Sequence, residues 1–100
     1  MVKQRQVVRN KVRIEIESLK SGLLVSDKEI AAGATLKDLL NELVTTHREV
    51  IEIAFDTKSQ ELTGAMAIIL NGTFIQFLDN LETKISNGDV IVFVPLLVGG

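Results

Sequence analysis

The 100-residue chain is the size of one domain, and its 46% hydrophobic and 24% charged residues exclude a disordered polymer. It contains no Cys, Trp or Tyr, one His and four Phe, which excludes disulfides, thiolate metal sites and cysteine catalysis and disfavours a base-stacking surface for nucleic acid. Five bases and no acids lie in residues 1–13, so the remainder, with 6 basic and 13 acidic residues, is acidic and argues against nucleic acid as the main partner.

Residues 12–31 have the pattern of a β-hairpin. From Val12 to Glu17, β-branched apolar residues alternate with charged ones, which indicates a strand with one face in water. Ser21-Gly22 supplies turn residues, and Leu24–Ile30 has a weaker strand pattern.

An amphipathic helix of about three turns is predicted next. Thr35 suits the N-cap position, and Asp38 can complete a capping box with it. The residues that follow form one apolar stripe at helical spacing, expected to pack on the apolar face of the hairpin: Leu36, Leu39, Leu40, Leu43 and Val44.

Residues 48–63 are ambiguous, because their β-branched residues suit a strand while their acids and the preceding helix suit a further helical turn. Asn71-Gly72 then predicts a tight hairpin between Ala65–Leu70 and a return strand at Thr73–Phe77. A turn at Asn87–Asp89 precedes a buried strand at Val90–Val94, which Pro95 is expected to end because proline has no N–H.

This element order indicates an α+β fold, in which one sheet carries the helix on one face. We expect a single domain over residues 1–100, with a basic and mobile N-terminal segment at residues 1–10 and a flexible tail at residues 96–100. No stretch approaches the ~20 apolar residues of a membrane span. The N-terminus also lacks the apolar run of a signal peptide, so a cytoplasmic protein is expected.

Side chains suited to catalysis are few. Glu15 and Glu17 share a strand face, but alternating acids are best explained as a solvated surface. His47 is best explained as surface or as charge complementation at the end of the helix. No metal site and no bound cofactor is expected.

The C-terminal segment is more informative. Gly99 and Gly100 have no side chains, so they can enter a tunnel too narrow for a Cβ atom, and they bring a carboxylate to its end. Val90–Val94 is apolar at every position, although a sheet with one helix covers only one face. Either an unseen segment covers the second face or it is a docking surface, and Phe74 favours docking.

Over about residues 10–100 the sequence resembles the MoaD/ThiS group of ubiquitin-like sulfur carriers, most closely the small subunits of molybdopterin synthases. No single motif is specific, but the order and spacing of the set are. The matching pieces are Gly33–Leu40, Asn71-Gly72, Phe77-Leu78, Leu81-Glu82-Thr83, Gly88-Asp89 and Gly99-Gly100.

The resemblance implies a β-grasp (ubiquitin-like) fold, a mixed sheet with one main helix on one face. It implies that a ubiquitin-activating-type enzyme uses ATP to adenylate the carboxylate of Gly100, which is converted to a thiocarboxylate. The tail would then enter the large catalytic subunit of molybdopterin synthase and give its sulfur to a pterin precursor. Gly99 would keep the tail slender, and the partner would be met by Phe74, Val92, Val94, Pro95, Leu96, Leu97 and Val98.

Two alternatives stay open. The Leu-rich tail is also similar to that of ubiquitin-related modifiers, which serve tRNA thiolation or protein conjugation through the same C-terminal glycine. A β-grasp interaction module without terminal chemistry would instead keep its function when Gly99 and Gly100 are removed. No nucleic acid or membrane partner is expected in the leading interpretation.

Overall fold

The computed structural model describes residues 9–18 and 22–96. It contains one five-stranded sheet, one two-stranded sheet and one long helix. No helix in the described ranges is both long and apolar enough to cross a membrane. The elements in chain order are β1 (Arg9–Ser18), β2 (Gly22–Ala31), α1 (Leu36–Ala54), β3 (Phe55–Asp56), β4 (Glu61–Leu62), β5 (Met66–Leu70), β6 (Thr73–Phe74), 3₁₀ turns at Ile75–Phe77 and Asn80–Glu82, and β7 (Val90–Pro95).

The main sheet has the strand order β2-β1-β7-β5-β6. Strands β1 and β7 lie side by side and parallel in its centre, while every other neighbouring pair is antiparallel. The helix covers one face of this mixed sheet. This is the β-grasp fold, and the predicted α+β class with one main helix on one face is confirmed.

The helix begins as the sequence predicts. The Thr35 hydroxyl accepts a hydrogen bond from the backbone N–H of Asp38, and the Asp38 carboxylate accepts one from the N–H of Thr35, so the capping box is complete. The predicted stripe is buried on the hairpin. The core that it forms with the sheet includes Val12, Ile14, Ile16, Ile30, Leu36, Leu39, Leu40, Leu43, Val44, Ile91 and Phe93.

The helix is longer than the predicted three turns. It runs to Ala54 through a kink at His47, whose φ and ψ of −130° and 44° are not helical. Burial of Ile51 and Ala54 keeps the second half on the core. The helix therefore ends beyond His47, and the expected charge complementation at its C-terminus is wrong. The ambiguous segment is helical at first and then forms the small β3–β4 hairpin.

The Asn71-Gly72 hairpin is confirmed, but its return strand is shorter than predicted. Both turn residues have positive φ, 50° and 85°, as the tight turn requires. Strand β6 ends at Phe74, and the chain then turns into 3₁₀ helix instead of continuing to Phe77. The turn buries Ile75 and brings Phe77 beside Phe74, which alternation along a strand would place on the opposite face.

Candidate functional site

The sheet face away from the helix is called the open face here. One residue from each of the five strands contributes to a continuous row of neighbouring side chains on this face. In order across the sheet these residues are Val25, Glu15, Val92, Ile69 and Phe74. No helix of the described ranges packs on this face. The row places Val92 and Phe74, two residues predicted to meet a partner, on either side of Ile69.

Strand β7 explains the run of apolar residues that marked it in the sequence. Ile91 and Phe93 are fully buried beneath the helix, whereas Val92 and Val94 are half-buried on the open face. Val94 lies opposite Ala67, so the apolar surface continues towards the C-terminal end of the strand. The sequence left two explanations for this apolar run: a segment that covers the second face, or a docking surface. Residues 9–18 and 22–96 contain no segment that covers this face.

Two aromatic rings form the edge of this surface. Phe74 is 42% exposed and Phe77 is 74% exposed, and their ring centroids lie 6.5 Å apart in an edge-to-face arrangement. The next residue, Leu78, is also exposed. Phe77 was expected at the end of a strand and was not among the residues predicted to meet a partner. The available signal was a second aromatic residue close to a tight turn.

Pro95 does not end the pairing of β7 with β5, so the prediction is wrong on that side of the strand. It lies opposite Met66 within the strand, and the next N–H, that of Leu96, donates to the carbonyl of Ala65 at 3.0 Å. Peptide groups alternate in direction along a strand, so the nitrogen of Pro95 points towards β1. The paired register of β1 and β7 ends at Ile16–Phe93 although β1 runs on to Ser18, so the missing N–H ends the pairing of β7 with β1.

A groove of about 220 Å³ lies next to this end of the sheet. Its walls include Met66, Ile68, Phe74 and Leu96, so it connects the exposed aromatic edge to the start of the C-terminal tail. Leu96 itself is 51% exposed. The predicted residues Leu97, Val98, Gly99 and Gly100 lie outside the described residues.

Charged residues divide the open face. The Arg13 guanidinium pairs with the Glu15 carboxylate at 2.9 Å, and both side chains project from β1. This pair separates the apolar part on β7, β5 and β6 from Leu23 and Val25 on β2. Glu15 is occupied by an arginine and Glu17 is exposed, which agrees with a solvated surface rather than a catalytic carboxylate pair.

Groups suited to catalysis are scarce in residues 9–18 and 22–96. His47 is half-buried at the helix kink, where its Nδ1 lies 2.8 Å from the Thr46 hydroxyl. Across the same ranges, no cluster of three or more His, Asp or Glu residues is arranged to hold a metal ion. The described part of the fold therefore offers an exposed apolar surface that reaches Leu96, the last residue described.

Comparison with known proteins adds two findings. The sequence model of the ThiS family matches residues 18–100. Comparison with curated proteins gives no match.

Several solved structures share the fold. The HVO 2177 protein of Haloferax volcanii aligns with a TM-score of 0.74 at 15% identity, over 99% of this chain and 94% of that one. Small archaeal modifier protein 1 of Methanosarcina acetivorans aligns at 0.69 and 24% identity, over 93% and 99%. A putative molybdopterin converting factor subunit 1 of Pyrococcus furiosus aligns at 0.64 and 20% identity, over 88% and 99%.

Proposed function

Since the chain belongs to the ThiS family of ubiquitin-like sulfur carriers, we propose that it is the small subunit of a molybdopterin synthase. In this role Gly100 carries sulfur as a thiocarboxylate and delivers it to a pterin precursor. Carriers of this kind are not catalysts themselves and work with activating enzymes and partner subunits. What we propose beyond family membership is that the sulfur acceptor is a pterin precursor and that the partner subunit is the large subunit of molybdopterin synthase.

One structural observation supports a role in which a partner receives the tail. The hydrogen bond from Leu96 N–H to Ala65 O, directly after β7, fixes the start of the tail at the sheet end. Apolar residues that are only half-buried, Val92 and Val94, lie directly upstream on the same strand. A partner that covers these residues is thereby positioned to receive the tail, because strand and tail are one continuous segment.

The chemistry resides in the chain end and its activating enzyme. An oxygen of the Gly100 carboxylate attacks the α-phosphorus of ATP, and pyrophosphate leaves with the electrons of the broken P–O bond. Hydrosulfide, supplied by a sulfur-donating system, then attacks the acyl carbon. The C–O bond to AMP breaks, AMP leaves, and the proton of the hydrosulfide goes to solvent. ATP thus acts as a substrate of the partner, and the carrier itself holds no cofactor.

Docking precedes this chemistry. The proposed contact set is Phe74, Val92, Val94, Pro95 and Leu96, continued by Leu97 and Val98 in the threaded segment. An exposed aromatic and half-buried aliphatic residues are typical of the apolar centre of an interface, where a few residues contribute most of the binding free energy. Gly99 and Gly100 lack a Cβ, which suits a narrow channel.

Intact-mass spectrometry tests the proposal. The full chain is co-expressed with its activating enzyme and a sulfur donor, and the mass should rise by one oxygen-to-sulfur exchange. A chain extended by one alanine after Gly100 is the matched control and should keep its original mass. An unchanged native chain, with an activating enzyme shown to release pyrophosphate on it, would contradict a sulfur-carrying role.

The acceptor needs its own assay. The thiocarboxylated chain is mixed with a molybdopterin synthase large subunit and a pterin precursor, and dithiolene formation is measured. Formation of the product supports the synthase role. A stable thiocarboxylate that survives in this mixture would contradict it.

A modifier role is the second candidate, favoured by the Leu96-Leu97-Val98 segment before the glycines and by the structural likeness to a small archaeal modifier protein. In that role an amine attacks the same acyl adenylate and AMP leaves. Digestion of cell protein should then reveal Gly-Gly remnants on lysines. A tRNA-thiolation role predicts loss of thiolated tRNA when Gly100 is deleted.

A further inference from the structure

Strand β2 forms one edge of the main sheet, and its hydrogen-bonding groups can be assigned from its neighbours. The Arg13 N–H donates to Asp89 O at 2.9 Å, and the Gly88 N–H donates to Lys11 O at 2.8 Å. The odd-numbered residues of β1 therefore bond towards β7, and its even-numbered residues bond towards β2. Because Ile16 faces Leu24 and Ile14 faces Ser26, the even-numbered residues of β2 are the ones paired with β1.

The odd-numbered residues of β2 must then direct their N–H and C=O groups away from the sheet. Two of these carbonyls are occupied: Glu29 O accepts from Arg9 Nη2, and Ala31 O accepts from Ala34 N–H, both at 3.1 Å. Within residues 9–18 and 22–96, no hydrogen bond reaches the outward peptide groups of Leu23, Val25 or Asp27. These three residues are called the free edge here.

The free edge also exposes apolar side chains. Leu23 is 56% exposed and Val25 is 46% exposed, and both project from the open face. A strand edge with unpaired peptide groups and apolar side chains is a template for pairing with another strand. The far half of β2 is less open to such pairing, because Arg9 occupies the carbonyl of Glu29 and Ala34 N–H occupies that of Ala31.

We propose that the free edge pairs antiparallel with the free edge of a second copy of this chain, with the two-fold axis at Val25. In this register Val25 faces Val25 of the second copy, and Leu23 faces Asp27 of the second copy. Each facing pair exchanges two hydrogen bonds, so every unpaired peptide group of the three residues gains a partner. The inference does not depend on the proposed sulfur chemistry.

Two features of the edge favour a second copy over a longer foreign strand. The unpaired run is symmetric about Val25, with one outward residue on each side. A longer strand would also need the carbonyl of Glu29, and Arg9 already bonds to it. A second copy pairs only with the unpaired peptide groups of Leu23, Val25 and Asp27, and it contributes the same three residues.

Charge selects the register. An axis at Asp27 would place two carboxylates directly opposite each other, which is unfavourable. An axis at Val25 separates the two Asp27 residues by four residues along the seam, about 13 Å at ~3.3 Å per residue. That separation exceeds the screening length of about 8 Å at physiological salt, so the repulsion is weak.

The resulting pair would form one continuous ten-stranded sheet. Strands β1 and β7 keep their neighbours, and the apolar part of the open face on β7, β5 and β6 stays uncovered. The two copies of β7 run in opposite directions, so their ends point away from each other. Because few apolar side chains are buried, we expect a weak and concentration-dependent dimer.

Sedimentation equilibrium of the full chain tests this inference, at protein concentrations that cover dissociation constants of about 10 μM to about 1 mM. The native chain should self-associate. Val25→Pro should weaken dimerisation at least tenfold, because it removes an outward N–H without breaking the ladder to β1. Val25→Thr is the matched variant that keeps the N–H and should retain more of the association. The amide NMR spectrum of each variant verifies its fold.

If Val25→Pro does not fold, NMR of the native chain tests the same proposal. On raising the concentration, the amide signals of Leu23, Val25 and Asp27 should shift, and those of Leu24 and Ser26 should shift less. A native chain that is monomeric throughout would overturn the proposal. Association that survives Val25→Pro, or that is lost in Phe77→Ser on the open face, would also overturn it.

Discussion

The Asn71 amide and the Asp89 carboxylate link two turns that are 18 residues apart in the chain. Asn71 Nδ2 donates to Asp89 Oδ1 at 2.8 Å, and the other oxygen of Asp89 accepts from the Ser86 N–H at 2.7 Å. The Asn71 side-chain oxygen in turn accepts from the N–H of Val90, the first residue of β7, at 2.9 Å. The link fixes the β5–β6 turn against the start of the strand that leads to the tail.

Asp89→Asn should lower the free energy of unfolding by about 1–3 kcal/mol. Asp89 is only 8% exposed, and both of its carboxylate oxygens accept from N–H donors. In the asparagine variant the side-chain NH₂ replaces one of these oxygens, so two donors face each other and one hydrogen bond is lost. Urea denaturation followed by circular dichroism measures the loss. Asp79→Asn, at an exposed acid of the 3₁₀ region, is the control and should change stability by less than about 0.5 kcal/mol. Equal stability of both variants would refute the role given to Asp89.

Thr35→Ala should destabilise the protein by about 1 kcal/mol. The substitution removes the hydroxyl that accepts from the Asp38 N–H and leaves that donor without its cap at the first turn. Thr45→Ala, also on the helix, removes only a hydroxyl that donates to the Glu42 carbonyl three residues earlier. Thermal denaturation should therefore distinguish the two variants, with the larger fall in Tm for Thr35→Ala. A fall of the same size in both would show that the cap is not important.

Phe77→Ser should reduce affinity for the activating enzyme or the larger subunit at least tenfold, because the ring packs on Phe74 of the proposed contact set and an exposed aromatic contact is often worth more than about 1.4 kcal/mol. Its stability should change little, since the ring is 74% exposed. Ile53→Ser is the matched control, because Ile53 is 52% exposed but lies on the helix rather than at the aromatic edge. Isothermal titration calorimetry compares the two. A stronger effect of Ile53→Ser would move the docking surface to the helix.

The pKa of the Asp56 carboxyl group should lie below its ordinary value of 3.8. The backbone N–H of Lys58, followed by that of Ser59, donates to its carboxylate and holds the pKa of Asp56 down. Because the folded-state pKa is depressed, this contribution to stability is present above the unfolded-state pKa and is lost as the pH falls towards the folded-state value. NMR titration of the Asp56 carboxyl carbon measures the shift.

Lys58→Gln separates the causes of that shift. The charge of Lys58 is the smallest of the favourable contributions, so its removal should leave the pKa of Asp56 low. A return of Asp56 to an ordinary pKa in this variant would show that charge, rather than the two backbone donors, holds the carboxylate in its ionised form.

Local patterns predicted the elements whose determinants are close together in the chain. The helix stripe from Leu36 to Val44 and the Thr35–Asp38 cap depend on residues within about two turns of one another. The Asn71-Gly72 turn depends on two neighbouring residues with positive φ. Each of these was confirmed, because each is stabilised by contacts that the same short segment supplies.

The sequence by itself determined a one-helix α+β domain, a strand that is apolar on both faces and two glycines at positions 99 and 100. Only the tertiary structure decided which strands are neighbours, and so that β7 lies in the centre beside β1 and that Phe77 turns back onto Phe74. It also decided that the nitrogen of Pro95 faces β1 and not β5, so that the proline ends only one of the two ladders of β7. The direction of a peptide group along a strand depends on pairing with residues far away in the chain, and no local pattern contains that information.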